Sequence, residues 1–279
     1  MTDPNITRDE AGARAALLDV TSYAVELDLT TSETTFRTVS TVTFTCREPG
    51  ADTFIDFIGE SVEAITLNDR SIDPAEAFTG TRIRLADLGP ENTLRVEATG
   101  TYMNTGEGLH RFVDPADGEV YLYTQFEVAD CRRMFAVFEQ PDLKASFTFT
   151  VTAPSSWTVL SNSPAPEPTP TETSDGSGDA HTFVFAPTAP MSSYVTAIVA
   201  GPYVGVTDEY VAEDGRTVPL GVYCRRSLVE HMDSAEILDL TKRGFSYYED
   251  LFATPYAFTK YDQIFVPEFN AGAMENAGC

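Results

Sequence analysis

The chain has 279 residues, 42% hydrophobic and 22% charged, a composition that suits a soluble globular protein of about two domains. Its 43 acidic and 18 basic side chains leave a formal charge of −25, which argues against a nucleic acid or an anionic membrane surface as partner. No apolar run approaches the roughly 18 residues needed to span a bilayer. The polar, acidic start also lacks the features of a secretory signal, so a cytoplasmic address is expected.

Thr7 followed three residues later by Glu10 reads as a capping box, and the Ala-, Leu- and Arg-rich residues 11–18 as the short helix it opens. From Tyr23 the period drops to two. Tyr23, Val25, Leu27 and Leu29 alternate with Ala24, Glu26 and Asp28, and Phe36, Val42, Phe44 and Cys46 share one parity. Short runs at 54–58, 64–67, 83–85 and 94–102 follow, separated by turn-like Asn68-Asp69 and Gly89-Pro90. This pattern predicts antiparallel β-structure with one face open to water. It resumes at Phe147, Phe149 and Val151, then at Trp157 and Val159.

Residues 164–179 hold Pro, Thr, Glu, Ser and Gly with no large apolar side chain. They predict a mobile surface loop elaborating a hairpin between strands at 157–160 and 181–185. Residues 194–200 form a mostly apolar run ended by Gly201-Pro202, a buried strand expected to close a first domain.

Another strand is predicted at 218–224. Asp233 to Glu236 repeats the capping pattern, and Ile237, Leu240, Thr241, Gly244, Phe245, Tyr248, Leu251 and Phe252 recur at three- and four-residue steps. They predict one amphipathic helix with its aromatic stripe in the core, stopped by Thr254-Pro255. Residues 264–269 read as a strand. These few elements are too little for a finished second core, so the last quarter is expected to be the start of a domain cut short.

Cys46, Cys131, Cys224 and Cys279 are scattered, as are His110, His181 and His231. Reduced thiols are expected, with no metal-ligand spacing. His110 and His231 read as surface or hydrogen-bonded side chains.

The segment Gly272-Ala273-Met274-Glu275-Asn276 resembles the G-A-M-E-N signature of the zinc aminopeptidase N family, a branch of the gluzincin metallopeptidases. Residues 256–271 resemble the family's lead-in to it. Residues 124–133, followed by Phe138, Glu139, Gln140, Pro141 and Asp142, resemble its second landmark, and residues 17–23 resemble actinobacterial members. The landmarks occur in order and span the chain. Glu139-Gln140 stands where many members have Asp-Glu, and Ala257 where many have Pro.

The resemblance implies a mainly β fold. An antiparallel β-sandwich, or saddle, domain would occupy residues 1–203, and the truncated start of a thermolysin-like α+β catalytic domain residues 204–279. It implies a parent enzyme that uses zinc to remove N-terminal amino acids from peptides. The family's H-E-x-x-H, further Glu ligand and catalytic Tyr all follow the signature, and H-E-x-x-H is absent here. The zinc ligands are therefore expected beyond Cys279, with no catalytic residue, metal or cofactor in this chain, which alone is expected to be inactive. The expected partners are peptide N-termini, not nucleic acid or membrane, together with the missing catalytic and C-terminal domains.

Residue by residue, the resemblance assigns Glu127 and Glu275 to the substrate's α-ammonium and Gln125 to the shape of the pocket. Gly272 and Ala273 would offer backbone hydrogen bonds, Gly272 allowing close approach because it lacks a Cβ. Met274 belongs to the same substrate-binding segment, although its side chain and that of Asn276 read as packing and turn residues. Two unit charges about 4 Å apart interact by about 4 kcal/mol at an effective dielectric near 20, enough to separate a free N-terminus from a blocked one. Read singly, each glutamate is an ordinary solvated carboxylate. Asp130, Arg132 and Arg133 read as an internal ion-pair cluster. The alternative is a non-catalytic scaffold or interaction module on the same fold.

Overall fold

The computed structural model describes residues 5–176 and 178–279. The first residues of the polar start and Ser177 of the 164–179 stretch lie outside them. Helix α1 (Arg8–Leu17) opens on the expected capping box: Thr7 Oγ1 accepts from the Glu10 N–H at 3.2 Å, and the Glu10 carboxylate accepts from the Thr7 N–H at 2.8 Å.

The strands that follow are β1 (Leu18–Asp28), β2 (Thr35–Cys46), β3 (Thr53–Asp56), β4 (Ser61–Leu67) and β5 (Arg70–Ile72). A one-turn helix α2 (Pro74–Ala77) precedes β6 (Arg82–Leu85), β7 (Glu91–Thr101), β8 (Gly108–Val113) and β9 (Val120–Gln125). Then come β10 (Ser146–Pro154), β11 (Thr158–Ser161), β12 (Thr169–Glu172), β13 (Asp179–Val184) and β14 (Ile198–Gly201). Last are β15 (Tyr203–Val211), β16 (Thr217–Arg225), α3 (Ser234–Phe252) and β17 (Tyr261–Phe265).

Among the described residues an eight-stranded sheet runs β12-β13-β10-β1-β2-β7-β4-β5, and a four-stranded sheet runs β11-β14-β9-β8. β3 pairs with β6, and β15-β16-β17 form a three-stranded sheet. The alternation foreseen in the sequence appears as burial: β10 buries Phe147, Phe149, Val151 and Ala153 and turns the residues between them outward. In β1 a register shift between Val20 and Ser22 swaps parity, so Leu18 and Val20 share the core face with Tyr23, Val25 and Leu27. The main core is aromatic. Tyr23 stacks on Phe147 at 4.9 Å, and Phe135 meets Tyr23, Phe147 and Phe149 edge-on.

Six expectations are corrected. The sheets are not purely antiparallel, because β1 pairs with β10, and β16 with β17, in parallel. The 164–179 stretch is not a connection between paired strands: β11 belongs to the four-stranded sheet and β13 to the eight-stranded one. Within that stretch Thr169–Glu172 forms an exposed edge strand on β13, since backbone pairing needs no apolar side chain. Residues 194–200 are not one strand, for a 3₁₀ turn at Ser193–Val195 leads into β14. The last strand ends at Phe265, four residues earlier than periodicity indicated. Finally, the α3 stripe is only partly core. Leu238 is buried and Phe245 packs beneath, but Leu240, Tyr248, Leu251 and Phe252 are more than half exposed.

All four cysteines are free thiols, three of them buried. Lys260 Nζ reaches Asp262 Oδ2 at 2.5 Å and the Gly278 carbonyl at 2.8 Å, which pins residue 278 beside the start of β17. Gly278 sits at φ +73°, and a Cβ there would meet the Asn162 carbonyl at 2.9 Å.

Candidate functional site

The segment from Ala271 to Asn276 follows β17 as irregular chain held at both ends. Upstream, Tyr123 on β9 donates from its hydroxyl to the Glu268 carbonyl at 3.3 Å, and its ring meets Phe269 edge-on at 5.7 Å. Asn270 Nδ2 donates to the Thr105 carbonyl at 2.5 Å. Downstream, the Ala277 N–H donates to the Val195 carbonyl, and Asn162 Nδ2 donates to the Ala277 carbonyl at 2.9 Å. Between these anchors, no backbone hydrogen bond among the described residues involves residues 271–275. Ala271, Gly272, Ala273 and Glu275 are exposed, so their amides and carbonyls face solvent ready for another chain.

This span borders a pocket of about 490 Å³ lined by Gly272, Ala273, Met274 and Glu275 on one side. Tyr123 and Thr124 of β9 and Val199 of β14 line another side, with Tyr256, Phe258 and Tyr261 completing much of the wall. Burial, helped by the Glu275 charge, pushes the Tyr261 phenol above its ordinary range. Burial likewise pushes the nearby Cys279 thiol up to about 11, which keeps it protonated and unreactive.

Gln125 and Glu127 do not line this pocket. Gln125 ends β9, directly after Tyr123 and Thr124, so one strand carries the second landmark to the rim of the site. Its side-chain oxygen is buried and accepts no hydrogen bond among the described residues. Glu127 follows in an exposed turn, joined to Val128 by a cis peptide bond. Open space surrounds the position where a Cβ would stand on Gly272.

Further along the second landmark, Asp130 and Arg133 are paired. Arg133 Nε reaches Asp130 Oδ1 at 2.6 Å, and its Nη2 stands 3.5 Å from Glu107. The Arg132 N–H donates to Glu139 Oε2 at 2.8 Å. The ion-pair reading thus has a geometric basis for Asp130 and Arg133, while the bond just described for Arg132 is made by its backbone.

Sequence reasoning missed the aromatic wall of Tyr123, Tyr256, Phe258 and Phe269, and it missed the setting of His110. Tyr121 and Tyr123 alternate on β9, a signal that was present but indistinguishable from core packing. His110 is 1% exposed and stacks on Tyr123 at 4.8 Å. Its partners, Gly106 and Glu268, cannot be inferred from spacing.

Comparison with known proteins identifies relatives. Residues 20–195 match the peptidase M1 N-terminal domain, and residues 236–279 match the peptidase family M1 domain. Aminopeptidase N of Streptomyces lividans is 53% identical over 281 aligned residues, covering 100% of this chain and 32% of that protein. Aminopeptidase M1-B of Oryza sativa subsp. japonica is 33% identical over 67% of this chain and 20% of its own length. Aminopeptidase N of Acetobacter pasteurianus is 33% identical over 67% of this chain and 50% of its own length. The chain thus spans about a third of the Streptomyces protein's length. A mainly β N-terminal domain and these matches lead to one conclusion: the chain belongs to the aminopeptidase N family of M1 peptidases.

Proposed function

We propose that this chain is the amine-recognising part of an aminopeptidase that removes N-terminal amino acids from peptides in the cytoplasm. Residues 1–203 would be the β saddle domain and residues 204–279 the opening of the catalytic domain. The observation that carries the reading is the 271–275 span, tethered at both ends beside an aromatic pocket with its backbone groups free. A peptide laid along it would gain main-chain hydrogen bonds like an added strand. Glu275, with Glu127 from the β9 side, would then pair with the peptide's α-ammonium. Gln125, at the end of β9 directly after Tyr123 and Thr124, would shape the rim of that pocket.

Zinc comes into this reading through the family. Among the described residues no three His, Cys, Asp or Glu side chains gather into a set that fits a metal ion, so no chemical step is routed through zinc in this chain. Because the family's H-E-x-x-H is absent from the sequence, the reading holds that residues 1–279 alone neither hold catalytic zinc nor hydrolyse aminoacyl substrates.

The test uses the full-length protein that carries this chain, with free-amine and N-acetylated aminoacyl anilides. Glu275→Gln and Glu127→Gln should each lower kcat/KM for the free-amine substrate by at least about tenfold, as expected on removing one partner of a charge-assisted contact. Wild-type turnover that ignores acetylation, or glutamine variants that match wild type, would overturn the reading. Zinc-dependent hydrolysis by residues 1–279 alone would overturn its second part.

A further inference from the structure

We propose that His110 is a positioning residue for the amine-binding segment: from β8 it seats the turn at 268–270 and so sets where Glu275 stands. This inference rests on the aminopeptidase reading for its consequence, but its geometry stands alone. A neutral imidazole has one donor and one acceptor nitrogen. His110 Nδ1 accepts from the Gly106 N–H at 3.0 Å, so the ring proton sits on Nε2. That nitrogen lies 3.3 Å from Glu268 Oε2, in contact but off the best hydrogen-bonding direction. Burial disfavours the charged ring and lowers its pKa, while the Glu268 charge opposes the shift.

Glu268 is 57% exposed, so water alone could solvate its carboxylate. Its approach to a buried histidine therefore serves position rather than solvation. The backbone agrees, because Glu268 adopts φ +53°, a left-handed conformation unusual for a residue with a Cβ. The two residues that follow are held as well. Tyr123, stacked on His110, contacts Phe269 with its ring and the Glu268 carbonyl with its hydroxyl. Asn270 reaches the Thr105 carbonyl across Gly106, where a Cβ would stand 2.2 Å from Asn270 Nδ2. Three consecutive residues are thus fastened to the β8–β9 hairpin and the loop that precedes it, immediately before the exposed span. Residues 271–275 have no backbone hydrogen bonds of their own, so the anchors at both ends bear on where Glu275 stands.

Two readouts test this. The first uses residues 1–279 and a glutamyl endopeptidase. Cleavage after Glu268 and Glu275 should be about fivefold or more faster in His110→Phe, which keeps the ring stack and loses both polar contacts, than in wild type. Cleavage after Glu127 should be unchanged. The second uses the full-length protein. His110→Phe should raise KM for a free-amine anilide about fivefold with kcat within about twofold, the pattern of lost uniform binding, and His110→Gln, which keeps a donor and an acceptor, should restore it.

Unchanged cleavage in His110→Phe, or a fall in kcat with KM unmoved, would overturn the inference. Failure of the broader reading looks different: wild-type enzyme indifferent to acetylation, with the cleavage difference still present. Should His110→Phe not fold, Glu268→Gln at the exposed end of the contact carries the cleavage after Glu275 and the KM readout with the same expected directions, its own position being no longer a cleavage site.

Discussion

Glu139 shows how a single side chain can work against the fold that buries it. Its carboxylate is 5% exposed and accepts from the Arg132 N–H and from Ser193 Oγ. Two hydrogen bonds do not offset the lost hydration, and burial raises its pKa from 4.5 to about 7. Between those values the folded state holds the proton more tightly than the unfolded state. Its contribution to stability is therefore full below pH 4.5 and falls as pH rises to about 7, by about 3 kcal/mol. Glu139→Gln keeps an acceptor for Arg132 and a donor for Ser193 and cannot ionise. It should be more stable than wild type at pH 8, with the gap closing towards pH 4.5, when urea midpoints are compared at both pH values. A constant gap would show that Glu139 does not titrate as its surroundings require. The sequence displayed this residue only as part of a landmark, because the groups that bury it come from distant parts of the chain. The Thr7–Glu10 capping box was legible for the opposite reason, since both partners lie within four residues.

Legibility at the level of elements follows the same distinction between local and distant causes. Period-two burial in β7 and β10 and the caps of α3 depend on near neighbours, and they are found where the pattern places them. The edge strand β12 escaped because its four exposed residues join the sheet through backbone contacts with β13 alone. The α3 stripe misled because helical periodicity reports an apolar face without reporting what covers it. A groove of about 550 Å³ beside that helix is lined by Phe245, Tyr248, Phe252 and Tyr256. An uncovered apolar face of this kind binds hydrophobic dyes. Leu251→Lys combined with Phe252→Lys should therefore lower anilinonaphthalene sulfonate fluorescence of residues 1–279 by about half or more, with helix content by circular dichroism unchanged. Equal fluorescence would place the dye elsewhere. Tight packing gives a second expectation: Gly100 lies in β7, where an added Cβ would stand 2.3 Å from the buried Phe36 ring. Gly100→Ala should destabilise by about 1–3 kcal/mol in urea titration, and a neutral substitution would mean that the ring moves aside freely.

Across the whole molecule, apolar burial is distributed unevenly. The eight-stranded sheet and the segments laid over it share one extended core that includes Tyr23, Phe36, Phe44, Phe135, Phe138, Phe147 and Phe149. The cluster under α3 consists of Tyr210, Ala212, Val218, Leu220, Val222 and Leu238, with five partly buried neighbours. Surface burial is the main favourable contribution to folding, so amides opposite the larger core should open only in near-global unfolding. Ion pairs do little to redress the imbalance: Lys242 to Asp208 links α3 to β15 through part-exposed side chains, Arg243 to Asp239 lies within α3, and Arg216 to Glu249 at 3.1 Å adds one link to the turn after β15. Native-state hydrogen exchange on residues 1–279 should then show amides of α3 and β15 exchanging about a hundredfold or more faster than those of β1, β2 and β10. β16 should fall between, because it is flanked by β15 and β17 and its Arg225 is tied to the buried Asp114 at 2.7 Å. Uniform protection across both regions would mean that the third cluster, where Tyr121, Tyr123 and Tyr203 meet Phe269 and Ile264, transmits cooperativity across the site. Graded protection would instead leave the candidate pocket at the border between a rigid sheet and a looser partner, with the 271–275 span positioned by the rigid side.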